Sequence, residues 1–208
     1  MPQLNLSFSP AFVPDTYLTI SEPAESLLKE KGSKFLGFAF PVTTEADIKQ
    51  HLEILRKKYY DATHHCYAYM LGKDRNAYRA NDDGEPNGTA GMPILNQIKS
   101  KQLTNILVVV VRYFGGTKLG AAGLVTAYKT TTAQTLNAAN IVEQLHCLPI
   151  RLQFDYLQMN DIMKVCKDYD LPISEQDFQE TCSLRLSVRE SLWANLIEVF
   201  RKIGATVS

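Results

Sequence analysis

Between Pro86 and Val142 the chain contains no aspartate or glutamate. Lys99, Lys101, Arg112, Lys118 and Lys129 lie inside that stretch, and Asp82, Asp83 and Glu85 sit just before it. The net charge of +0 and the pI of about 6.9 therefore conceal a basic region beside an acidic one. The balanced total excludes a global pull toward nucleic acid or membrane. Cysteine is sparse. Cys66, Cys147, Cys166 and Cys182 form no CxxC pair and no metal-ligand spacing, so no metal is expected and all four read as reduced, buried core residues. No apolar run approaches the roughly 18 residues of a membrane helix. The N-terminus has no basic segment followed by an apolar core, so no signal peptide is expected and the cytoplasm is the expected location. Repeats and low-complexity tracts are missing too. What remains is ordinary globular material, 45% hydrophobic and 21% charged, with 208 residues for about one and a half average domains.

The most informative stretch runs from Asn105 to Tyr128. Ile106 to Val111 is an unbroken apolar run rich in β-branched residues, the pattern of a strand buried on both faces. Arg112, Tyr113 and Phe114 follow, then a pivot at Gly115 and Gly116. Thr117, Lys118, Leu119 and Gly120 lead into Leu124, Val125, Tyr128, Thr132 and Leu136, whose spacing is helical. A core strand thus delivers a glycine turn and a helix begins behind it. Backbone amides of such a turn and the positive end of a helix suit an anion such as phosphate. Arg112, Tyr113, Gly115, Gly116, Lys118 and Gly120 are the candidate phosphate- or nucleic-acid-binding residues. The same spacing also fits a tight strand-to-helix turn with two solvated bases.

Upstream, residues 1–15 read as an N-terminal extension, with Pro2, Pro10 and Pro14 and no periodicity. Thr16–Ile20 and Ser33–Val42 read as strands, and Pro23 with its polar neighbours argues against strand between them. Thr44 with Asp47 is a capping box that opens a helix through Ile48, Leu52 and Leu55. His64 to Leu71 is a strand. Its alternation lets only one of His64 and His65 face a shared site and excludes both binding one metal. Asp82, Asp83 and Glu85 lie in a loop of turn dipeptides, and Thr89 is placed to cap a helix through Met92, Leu95 and Ile98. His64, His65, Asp82, Asp83 and Glu85 form the candidate wall of the site.

The pattern breaks near Glu143–His146 and restarts as β-α-β-β-α-β, the ferredoxin-like order. Leu148, Ile150, Leu152, Phe154 and Tyr156 alternate, and Ser187 with Glu190 suggests a capped last helix. The expected fold is α+β in two domains, 16–143 and 146–208.

Two long motifs then carry a resemblance. Asp82-Asp83-Gly84-Glu85-Pro86-x-Gly88-Thr89-Ala90-Gly91-x-Pro93 precedes Val109-Val110-Val111-Arg112-Tyr113-Phe114-Gly115-Gly116-x-x-Leu119-Gly120-x-x-Gly123-Leu124-x-x-Ala127-Tyr128, and His64-His65-Cys66-x-Ala68 adds a third stretch. Together they resemble the YigZ/Impact family over roughly residues 17 to 140. Ala121-Ala122 departs from bacterial relatives, which more often carry a glycine there. The resemblance implies a first domain similar to the second domain of ribosomal protein S five and a second similar to the last domain of elongation factor G. It also implies a link to translation, which eukaryotic relatives regulate under amino-acid stress. Their partner-binding RWD-type domain has no counterpart in this sequence, so that activity is not expected here.

Two readings follow. In the first the chain is a non-enzymatic, translation-associated binding protein. It contacts RNA, the ribosome or a translation factor through the glycine turn, with Tyr113, Phe114 and Tyr128 as exposed stacking aromatics. In the second it is an enzyme acting on a small phosphorylated or nucleotide ligand, with the Asp82–Glu85 loop as base or metal holder and His64 or His65 as proton shuttle. Neither requires a bound cofactor. In a third, Asp83 and Glu85 merely bond Arg112 or the turn amides and lock the fold.

Overall fold

The computed structural model describes residues 15–179 and 181–208; most of the expected N-terminal extension lies outside these. The described residues divide into two compact units. One is Tyr17–Gln144, and the other joins residues 15–16 to Leu145–Ser208.

The first unit contains β1 (Thr16–Ile20), β2 (Ala24–Glu30), β3 (Ser33–Pro41), α1 (Glu45–Lys58), β4 (His64–Leu71), β5 (Ala77–Asn81), α2 (Gly91–Ser100), β6 (Ile106–Tyr113), α3 (Gly120–Ala138) and β7 (Ile141–Leu145). Five strands form an antiparallel sheet in the order β2-β3-β6-β4-β5, and β1 pairs with β7. β6 is central, and its apolar run is buried from Ile106 to Val111. Alternation assigns its side chains to two cores. Ile106, Val108 and Val110 pack with α2 and α3, while Leu107, Val109 and Val111 pack with α1. Each such side chain contributes about 1.5–3 kcal/mol relative to exposure.

The capping box of α1 is formed: Asp47 N–H donates to Thr44 Oγ1 at 3.1 Å, and Thr44 N–H donates to Asp47 Oδ2 at 2.9 Å. The Thr43 amide also donates to Asp47 Oδ2 at 2.9 Å, and this bond, followed by those from Thr44, holds the Asp47 carboxyl below the usual carboxylate range. Thr89 does not cap α2. Its hydroxyl donates to the Pro86 carbonyl at 2.7 Å, and the cap is a carboxylate from outside the helix. The segment after Pro23, expected to be non-strand, is β2, and β5 is a further strand that the sequence pattern did not indicate. Both are edge strands.

The second unit runs β8 (Cys147–Phe154), α4 (Met159–Asp168), β9 (Ile173–Phe178), β10 (Cys182–Arg189), α5 (Glu190–Ile203) and β11 (Thr206–Val207). Its sheet order is β11-β8-β10-β9, and Ile150, Leu152, Phe154, Leu184, Leu186 and Val188 meet the two helices in one core. Ser187 lies inside β10 and does not cap α5. The cap comes from Asp15, whose carboxylate accepts from the Ser191 amide at 2.8 Å and from the Ser191 hydroxyl. Gly204 closes α5 in the left-handed region at φ +100°. All four cysteines are free, and Cys147 is exposed, unlike the buried position expected for it.

Candidate functional site

The site grows from one rung of the first sheet. Phe35 of β3 and His64 of β4 flank Arg112 of β6 in register. Alternation sends all three to the α2–α3 face. Arg112 is buried, and its guanidinium carbon lies 5.3 Å from the Phe35 ring and 5.7 Å from the Phe114 ring. A buried guanidinium requires a counter-charge. Glu85 supplies it: Arg112 Nη1–H donates to Glu85 Oε1 at 2.6 Å. The Tyr128 hydroxyl, carried in from α3, donates to the same oxygen at 2.7 Å. Cys66 Sγ–H, from β4, lies 3.3 Å from that hydroxyl and 2.9 Å from the Asp82 carbonyl. Burial pushes both the Cys66 thiol and the Tyr128 hydroxyl well above their usual ranges. Neither is an activated nucleophile.

Asp82 and Asp83 shape the loop that brings Glu85 inward. The Asp82 carboxylate accepts the amides of Gly88, Ala90 and Gly91 at 2.9, 2.9 and 2.8 Å, which caps α2. Asp83 sits at φ +43°, and its carboxylate accepts the His65 amide at 2.6 Å and lies 3.7 Å from Arg56. His64 Nδ1 is 2.8 Å from the Asp83 carbonyl. A carbonyl only accepts, so Nδ1 carries the proton and Nε2 faces Glu85 Oε2 at 3.9 Å. His65 points to the opposite face, as the alternation requires. It is 7% exposed, and its Nε2 has no hydrogen-bond partner among the described residues. No cluster that could hold a metal ion occurs among the described residues.

The glycine turn has two parts. Gly115 is packed shut: a Cβ there would lie 1.8 Å from the Gly32 carbonyl carbon, and its amide donates to Ser33 Oγ at 3.1 Å. Gly116 at φ +84° and Gly120 at φ +71° face open space. α3 begins behind Leu119 with no side-chain cap among the described residues and no acid in its first turn. Lys118 is exposed and Phe114 is 48% exposed. Between this turn and the buried ion pair lies a cleft of ≈ 330 Å³, walled by Glu85, Arg112, Phe114, Lys118, Gly120 and Leu124.

Four expectations change. Arg112 is not a free phosphate ligand, because Glu85 already holds its charge. Tyr113 lies on the other face of β6 from Arg112 and donates to Asp61 Oδ1 at 2.8 Å, a bond that pushes its hydroxyl up to about 12. Tyr128 is 0% exposed and cannot stack on a base; its place beside Leu124 on the apolar stripe of the helix already signalled burial. Gly115 offers no free amide. Lys118, Gly116 and Gly120 stay at the surface, and His64, Asp82, Asp83 and Glu85 converge beneath it. Phe35, Ser33 and Cys66 complete the site from strands far apart in sequence. Cys66 falls in the His64-His65-Cys66 stretch, but nothing local marked its contact with Tyr128, and no motif marked Phe35 or Ser33.

Residues 31–136 match the Impact N-terminal domain. The chain belongs to the IMPACT family. It is 33% identical over 175 residues to the family member YvyE of Bacillus subtilis, covering 84% of this chain and 81% of that protein. It is 32% identical over 176 residues to YigZ of Escherichia coli, covering 84% and 86%. A crystal structure described as a hypothetical protein matches with a TM-score of 0.73 at 29% identity, over 94% of this chain and 97% of its own. The IMPACT match spans the site from the Gly32 hairpin to α3, and all of the residues of the Glu85–Arg112 network fall inside it.

Proposed function

We propose that this protein is a non-enzymatic, translation-associated regulator that grips a phosphate of RNA or the ribosome at the exposed turn from Phe114 to Gly120. The observation that carries the reading is the surface itself. An uncapped helix N-terminus, two glycines with φ above zero and the exposed Lys118 lie together, with no acid in the first turn of α3. The Gly32–Gly115 contact brings Lys31 to the same edge, and Lys31 and Leu119 line a second cleft beside it. Phe114 adds a half-exposed ring for stacking. Membership of the IMPACT family supports the link to translation, and the likeness expected from sequence to domains of ribosomal protein S five and elongation factor G points the same way. A translation factor carrying a phosphate-like acidic group is a second partner of the same chemistry. On this reading the protein works in the cytoplasm. No helix among the described residues is long and apolar enough to cross a membrane.

The enzyme reading is weaker. The buried thiol and hydroxyl of the site are held protonated, and Glu85 is tied to Arg112 and Tyr128. The test is binding of single-stranded RNA and of ribosomes to the full chain at about 50 mM salt, where phosphate contacts are strong. Binding is expected to fall as salt rises, and Lys31→Glu/Lys118→Glu is expected to abolish it without unfolding. No retention of either target at low salt would sink the proposal.

A further inference from the structure

We infer that the cleft between the start of α3 and the Glu85–Arg112 pair is a pocket for one nucleotide, its base on Phe114 and Glu85 and its phosphate on Gly120 and Lys118. This deepens the anion-binding reading above by naming what carries the anion.

Volume sets the first limit. At ≈ 330 Å³ the cleft is small for a ligand pocket, enough for a single nucleotide and too small for a strand. Its outer end is the N-terminus of α3, where Gly120 sits at φ +71° and an added Cβ would meet nothing within 4 Å. Amides at a helix start, with Lys118 beside them, suit a phosphate.

The inner end provides an independent observation. The Glu85 side chain is 3% exposed, yet its hydrogen bonds from Arg112 and Tyr128 both go to Oε1. Oε2 receives none from the described residues, and the ring nitrogen facing it, His64 Nε2, stands 3.9 Å away. Arg112 is 5% exposed, and its Nε–H has no acceptor among the described residues beneath the ring of Phe114. Arg112 Nε–H is thus a buried donor of a kind that folded proteins seldom leave unmet, and Glu85 Oε2 on the same wall is an acceptor with free capacity. Between the two ends the walls are apolar, formed by Leu119, Leu124 and the Phe114 ring.

The ligand that matches is a flat ring with an N–H edge at one end and a phosphate at the other. Inorganic phosphate fills only the outer end. An aliphatic phosphate leaves Phe114 and Glu85 unused. A nucleotide satisfies all three, with the base stacked on Phe114, an amino or imino N–H donated to Glu85 Oε2, and the phosphate on the helix. The source is either a free nucleotide or the phosphorylated end of an RNA chain.

The full chain is titrated by calorimetry with adenosine monophosphate, adenosine, inorganic phosphate, and an oligoribonucleotide with and without a 5′ phosphate. Adenosine monophosphate is expected to bind at least about tenfold more tightly than adenosine or phosphate alone, since it loses neither the stack nor the anion contact. Phe114→Ala and Ala121→Glu, both at exposed positions on the cleft, are expected to weaken it by about tenfold or more while melting like the parent. Competition by the 5′-phosphorylated oligonucleotide alone would identify an RNA end as the source, and its absence a free nucleotide. No binding of the monophosphate, or undiminished binding by both variants, overturns the inference. RNA retention that depends on Lys118 would survive that result, so the broader reading and this one fail separately. Binding of the monophosphate without RNA or ribosome retention supports the pocket and removes the broader reading.

Discussion

Arg112 Nη1 and Glu85 Oε1 meet at 2.6 Å, 27 residues apart in sequence, with both side chains almost fully withdrawn from water. A pair like this adds little net stability over an apolar replacement, but removing one partner strands the other. Glu85→Ala is therefore expected to destabilise the protein by about 3–5 kcal/mol, measured by urea unfolding. Glu85→Gln keeps the shape and an acceptor oxygen and is expected to cost less. Equal losses for the two variants would show that the charge, which both remove, and not the packing, which only the alanine removes, is what Glu85 provides.

Asp82 organises the loop from further away. Its carboxylate takes three amides at the start of α2, in the role expected of Thr89. Asp82→Ala is expected to cost about 2 kcal/mol, at the upper end for a lost helix cap. Hydrogen exchange locates the effect: the Gly88, Ala90 and Gly91 amides should lose protection while those of β6 keep theirs. Unchanged exchange at those three positions would contradict the capping role.

The two turn glycines separate steric need from surface function. Gly115→Ala places a methyl 1.8 Å from the Gly32 carbonyl carbon and 2.1 Å from the Ser33 amide nitrogen. The hairpin must move, at an expected cost of about 3 kcal/mol or more. Gly116→Ala meets open space but must hold φ +84°, an expected cost of about 1–2 kcal/mol. Thermal melts of the two variants check the order, and a reversed order would mean that the Gly32–Gly115 contact is not maintained in solution.

What was legible in the sequence was local. The run Ile106–Val111 and the helical spacing from Leu124 to Leu136 identified β6 and α3, because burial imposes those periods on neighbouring residues. The Thr44–Asp47 box closes within four residues and was readable for the same reason. β2 and β5 were missed because edge strands bury little, as their exposed residues show, and take their form from pairing with β3 and β4. The caps of α2 and α5 come from Asp82 and Asp15, carboxylates outside either helix, so no local motif marked them. The site followed the same rule. The motifs drew attention to Arg112 and Glu85, and their pairing was one of the readings left open, but no spacing selected it, because the loop must fold over β6 to make it. Opposite facing of Arg112 and Tyr113 was available from strand alternation, the argument already applied to His64 and His65.

His65 gives the fold a pH dependence of defined sign. Its ring is buried against α1, and its pKa is lowered from the ordinary 6.5, chiefly by loss of water, with Asp83 opposing and Arg56 reinforcing the shift. The native state therefore binds fewer protons than the unfolded state once the pH falls below about 6.5, and stability declines with it. Above that value both states are neutral and the contribution is fully present. Urea unfolding between pH 7.5 and about 5 should show a loss in the parent that is reduced in His65→Gln, which has no charge to acquire. Carboxylates that do not face His65 contribute equally to both proteins across this window, so the difference between the two curves reports the histidine and its coupling to Asp83. Parallel curves would mean that His65 reaches water in solution and that the contact between β4 and α1 is looser than its burial implies.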